Sequence, residues 1–177
     1  MKKVMLLTIL AALMMVSSAA VAQTATGTLS VTATVNGTIN LVFNSNAAGV
    51  ALSSGAGTNA ATLAFGNVSA FGPLAAGVVR PAPTATTFTV SSAVDVLVSK
   101  TNSASANYTL KAQLGAADAV NNWAVGGVAV TNASQSTLTA TGAYAANSNF
   151  PVAITVPFTT PSGTLISNTI NYTATAN

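Results

Sequence analysis

The side chains that usually carry out acid–base, nucleophilic or metal chemistry are nearly absent from this 177-residue sequence. It has no histidine and no cysteine, and its two acids are Asp95 and Asp118. A general acid or base must titrate near working pH, which is most often the task of histidine or a tuned carboxylate. Nothing in the sequence around the two aspartates places them together as a catalytic pair. Serine is plentiful, but a serine nucleophile needs a base. Lys100 and Lys111, the available lysine partners after the N-terminal pair, stand in no supporting motif. Transition metals lack histidine and thiolate ligands. Calcium lacks an Asp-x-Asp cluster, since Asn44, Asn46 and Asn59 offer only neutral carbonyls. The sequence predicts a non-enzyme with no catalytic, cofactor-binding or metal residues and no cofactor.

Recognition by amide, hydroxyl and aromatic groups remains open. Trp123 follows Asn121-Asn122, and Tyr144 lies between Gly142 and Asn147 in a run of alanines. Both are candidate glycan contacts. Core packing is the competing role for each, and the ordinary one for a lone tryptophan in a β-domain.

Lys2 and Lys3, the apolar run 4–16 and the small-x-small pattern Ala20-Val21-Ala22 together read as a secretory signal peptide over residues 1–22. The apolar run is shorter than the ~20 residues a membrane-spanning helix needs. Residues 23–177 form the predicted mature chain, a single domain. In it Arg80, Lys100 and Lys111 stand against Asp95 and Asp118, a net charge of +1. Three scattered cations cannot neutralise a row of phosphates, so nucleic acid is not a predicted partner. An exported chain without disulfides must be stabilised by core burial, and its length is sufficient for that.

The elements that would position any site alternate with a period of two. Leu29, Val31, Ala33 and Val35 share one face of residues 28–35, with threonines and a serine on the other. The same period recurs at Ile39/Leu41/Phe43, Phe88/Val90, Val94/Val96/Val98, Tyr108/Leu110/Ala112/Leu114, Val152/Ile154/Val156/Phe158 and Ile170/Tyr172/Ala174/Ala176. Alternation places one set of side chains on a buried sheet face. The abundant threonine and valine suit pleated surfaces. Glycine- and proline-rich breaks separate the runs: Gly55-Ala56-Gly57, Gly72-Pro73, Gly126-Gly127 and Pro161-Ser162-Gly163. This pattern predicts an all-β fold, an antiparallel sandwich of about seven or more strands. Asn36-Gly37 is read either as a hairpin turn or as a kink within one long strand. Residues 47–61 read as a mobile loop. Thr-x-Thr pairs recur at irregular intervals, which fits the solvent faces of ordinary strands better than a regular array. Lys100 and Lys111 are the expected guards of exposed sheet edges.

Three stretches carry a family resemblance: the alternating run 28–35, the segment Leu63-Ala64-Phe65-Gly66-Asn67-Val68 read as a short strand, and the closing run that follows Gly163 to Tyr172 and Thr173. Together they make the chain similar to the bacterial immunoglobulin-like pilin families, namely spore coat protein U-like secreted proteins and chaperone–usher fimbrial subunits. The sequence departs from that pattern in having no cysteine and in carrying Ala176 where an aromatic is usual. The resemblance implies an immunoglobulin-like sandwich that lacks one strand. A neighbouring subunit's N-terminal strand would complete it, assisted by a periplasmic chaperone and an outer-membrane usher. Leu29, Val31, Ala33 and Val35 would then form the strand-donor face, unless residues 28–35 are the first strand of a complete sandwich. The expected function is a non-enzymatic exported structural or adhesive subunit that associates with itself or with other surface subunits. Its expected location is the periplasm, the cell surface or the medium. A secreted carbohydrate-binding module with a glycan partner is the alternative.

Overall fold

Alternation becomes a strand only where a second backbone supplies the ladder, and the computed structural model, which describes residues 26–177, shows where that happens. The leader expected over residues 1–22 lies outside the described residues. The chain divides after Thr34. Beyond that point ten strands form: β1 (Thr38–Ser45), β2 (Thr87–Ser92), β3 (Val94–Thr101), β4 (Tyr108–Leu114), β5 (Asn122–Val125), β6 (Val128–Val130), β7 (Ser136–Gly142), β8 (Asn147–Asn149), β9 (Val152–Pro157) and β10 (Ile170–Ala176). There is no helix among the described residues.

The strands form three antiparallel sheets, ordered β1-β3-β8, β10-β4-β7 and β2-β9-β5-β6. The first and third run on from one another, because only Ala93 separates β2 from β3 and only Phe150-Pro151 separates β8 from β9. Pro151 has no amide to give a ladder, which suits it to a break. Across that break the Phe150 amide donates to the Val94 carbonyl at 2.8 Å.

The core lies between sheet β10-β4-β7 and the other two, which gives the fold its sandwich-like character. Val96 and Val98 of β3 cluster with Tyr108 and Leu110 of β4. Phe88, Val90, Val94, Ala112, Leu114, Trp123, Val125, Val130, Val152, Ile154 and Val156 form the larger cluster. Each fully buried aliphatic contributes about 1.5–3 kcal/mol of transfer free energy. Two glycine positions are dictated by sterics. A Cβ on Gly142 would lie 2.3 Å from the Tyr108 ring. Gly126 and Gly127 both take positive φ (58° and 79°), as a two-residue hairpin between β5 and β6 requires.

Several expectations are corrected. Residues 28–35 alternate yet form no strand. Asn36-Gly37 is neither a hairpin turn nor a kink. It leads directly into β1, and Gly37 is needed because a Cβ there would come within 2.6 Å of the Asn102 carbonyl oxygen. Residues 47–61 contain no strand but are tied down: the Phe43 amide donates to Thr58 O at 2.8 Å, and the Ser53 amide to Thr62 O at 2.9 Å. The short strand expected over residues 63–68 is irregular chain whose Leu63, Phe65 and Val68 pack on the larger cluster. Hydrophobic pattern sets which side faces in, while a non-local partner decides whether a ladder forms.

Candidate functional site

β1 and β10 are the outer strands of their sheets, and no hydrogen-bonded ladder joins them. They still adjoin, since the rings of Phe43 and Tyr172 meet edge-on with centroids 5.0 Å apart. Along this seam the inward residues Ile39, Leu41 and Phe43 of β1 and Ile170, Tyr172 and Ala174 of β10 are all only half-buried. Leu41, Phe43, Tyr172 and Ala174 pack against Val96, Val98, Tyr108 and Leu110, which are completely buried. The apolar interior is therefore only partly covered between two outer strands, and among the described residues the far edge of β1 is bonded only at Phe43, by Thr58 and Gly57. Burial still pushes the Tyr172 phenol above its ordinary range.

The four donor-face residues lie in irregular, exposed chain. Leu29 is 88% exposed, Val31 81% and Val35 72%. Large apolar side chains held this far into water in a regular alternation have a pattern but no burial.

Charge placement separates the edges from the interior strands. β1, β2, β6, β7, β8 and β10 are the outer strands, and none carries a charged residue. Lys100 and Asp95 are on β3 and Lys111 is on β4, both central strands. Lys111 thus does not guard an edge, whereas Lys100 lies past the end of the β3–β8 ladder, which covers only Asp95 to Leu97. Lys100 Nζ lies 5.0 Å from the centre of the Tyr144 ring and donates to the Ser105 carbonyl. Asp95 Oδ1 accepts from Asn46 Nδ2 at 2.7 Å.

Of the candidate glycan contacts, Trp123 is buried at 7% exposure, with its indole Nε1 donating to Asp118 Oδ2 at 2.8 Å. Tyr144 is half-buried, 5.3 Å from the Tyr108 ring, and its hydroxyl donates to Asn107 O at 3.1 Å. The structure does not bring the two together in one cluster. Asp118 forms a tight turn and also accepts from the amides of Val120 (3.0 Å) and Asn121 (2.9 Å). Partial burial alone would raise its pKa. The bonds from the Asn121 amide, the Trp123 indole, the Asn121 side chain and the Val120 amide outweigh burial and hold the carboxyl at about 2.

Comparison with protein-family models, with curated proteins and with solved structures finds no match for this chain. Sequence reasoning found the alternation of residues 28–35 but not the β1/β10 seam. Its residues were legible as strand faces; their missing neighbour was not, because pairing joins residues far apart in sequence.

Proposed function

We propose that this protein is an exported, non-enzymatic structural subunit of a bacterial cell surface that assembles by β-strand addition. In this reading residues 28–35 of one copy enter the seam between β1 and β10 of the next. Leu29, Val31, Ala33 and Val35 cover the half-buried apolar row while the donor backbone pairs with a free strand edge. The fold is then an immunoglobulin-like sandwich with one place left for a neighbour's strand, as the resemblance to the pilin families implies. A periplasmic chaperone and an outer-membrane usher are the partners that resemblance brings with it.

The observation that carries the reading is the complementarity of two defects. One segment has alternating apolar side chains and no ladder, and one seam has a half-covered apolar row between two outer strands. The uncharged edges add to it, because charge is the usual device that keeps strand edges from pairing.

The test is the protein taken from its native surface and run unboiled and boiled, detected with a specific antibody. A ladder that collapses to one band on boiling is expected for the wild type. Val31→Lys should remove the ladder and shift folding stability by no more than about 0.5 kcal/mol, since the site is exposed. A single monomer band in both lanes for the wild type would sink the proposal.

A further inference from the structure

We propose that Asn36 is a self-modification site, where the backbone nitrogen of Gly37 displaces the side-chain amide and the residue ages into isoaspartate and aspartate. Asn36-Gly37 is the only Asn-Gly pair in the sequence, and no Asp-Gly pair occurs. The fold gives this pair neither a turn nor a strand. Both residues are exposed and stand in irregular chain directly before β1.

The reaction needs a side-chain amide free to turn, a following backbone nitrogen outside any ladder, and no side chain to obstruct ring closure. All three conditions meet here. Among the described residues, neither the Asn36 side chain nor the Gly37 amide has a hydrogen-bond partner. β1 accounts for the second condition. Phe43 directs its backbone groups to Thr58 and Gly57, away from β3. Backbone direction alternates along an antiparallel strand, so Leu41, Ile39 and, just before β1, Gly37 also turn their amides away from β3. The third condition is imposed by packing, because a Cβ on Gly37 would lie 2.6 Å from the Asn102 carbonyl oxygen. The sandwich thus requires the glycine that makes its neighbour labile. Asn44 and Asn147, each followed by serine, lie in strands, and Asn44 Nδ2 donates to Asn147 Oδ1 at 3.0 Å. Their side chains are held.

The step balances with water alone. Hydroxide removes the Gly37 amide proton, and the nitrogen forms a bond to Asn36 Cγ. The Cγ–Nδ2 bond breaks, and the leaving nitrogen takes a proton from water to depart as ammonia. Water then opens the ring. Cleavage at the backbone carbonyl gives isoaspartate, with one more carbon in the main chain, and cleavage at Cγ gives aspartate. Either product gains about 1 Da and a carboxylate that is ionised at neutral pH. That carboxylate cancels the net charge of +1 on residues 23–177. In the strand-addition reading, on which this sentence alone rests, the new charge stands next to Val35, the last residue of the donor face.

The experiment incubates the full chain in mildly acidic and mildly alkaline buffer and maps its peptides by mass spectrometry. Electron-transfer fragmentation separates isoaspartate from aspartate, and a synthetic peptide of residues 31–41 sets the reference rate. Polymer formation does not enter this readout, so its failure and that of strand addition are distinguishable. Asn36 should gain the mass faster in the alkaline buffer, with isoaspartate as the larger product. Its rate should lie within about tenfold of the peptide's, since loosely held chain opens at almost no free-energy cost. Asn44 and Asn147 should stay intact. Asn36→Gln, whose longer side chain closes its ring far more slowly, should abolish the gain and unfold at the same urea concentration as wild type. The proposal is overturned if Asn36 converts more than about tenfold slower than the peptide, if Asn44 or Asn147 converts as fast, or if Asn36→Gln gains the mass at wild-type rate.

Discussion

The β3/β4 centre and the β1/β10 seam are built from the same kinds of residue and reach opposite outcomes. At the centre, Val96, Val98, Tyr108 and Leu110 are completely shielded because each strand is paired on both sides. At the seam, Leu41, Phe43, Tyr172 and Ala174 face the same interior and stay half-covered, because β1 and β10 each have one neighbour. Burial in a β-protein is thus decided by strand count as much as by side-chain hydrophobicity. The charged residues within strands follow the same division: Asp95, Lys100 and Lys111 all lie on β3 and β4, the middle strands of their sheets.

Substitutions can test how deep that contrast runs. The largest effect is expected at the centre, where Leu110→Ala should cost about 2–5 kcal/mol in urea unfolding, through lost contacts and a cavity. At the seam, Leu41→Ala should cost less, about 1–2 kcal/mol, because part of its surface is already in water. Equal costs at the two sites would erase the distinction. A smaller effect comes from Asp118. Its folded pKa of about 2 lies below the ordinary aspartate value of 3.8, so its stabilising share is complete above the latter and is lost as pH falls through the former. Unfolding followed from pH 5 downward should show that loss, with the Trp123 indole resonance titrating near pH 2; an indole shift with its midpoint near 4 would contradict the turn geometry. The smallest effect is expected at Tyr108. Its buried hydroxyl has no partner, so Tyr108→Phe should leave stability within about 0.5 kcal/mol of wild type or raise it slightly.

Much of the fold was legible from sequence. The alternation at Val94/Val96/Val98, Tyr108 to Leu114 and Ile170 to Ala176 marks β3, β4 and β10 with the correct inward face. Gly126-Gly127 marks the β5–β6 turn. Residues 28–35 carry an equally good pattern and form no strand, since pattern encodes a face and leaves the partner unspecified. Lys111 was misplaced for the same reason: whether a strand is central depends on neighbours distant in the chain.

The charge-free strand edges also fix how contacts between copies should respond to the medium. The chain has no histidine, the side chain whose ordinary pKa lies in the neutral range, and none of the outer strands carries a charged residue. Joining such edges exchanges apolar surface and amide groups, with no ion pairs for dissolved salt to screen. Contacts of that kind are indifferent to acidity and ionic strength over the neutral range, and they loosen on cooling, when the hydrophobic drive weakens. For this protein temperature, rather than brine or acid, is the variable to which assembly would answer.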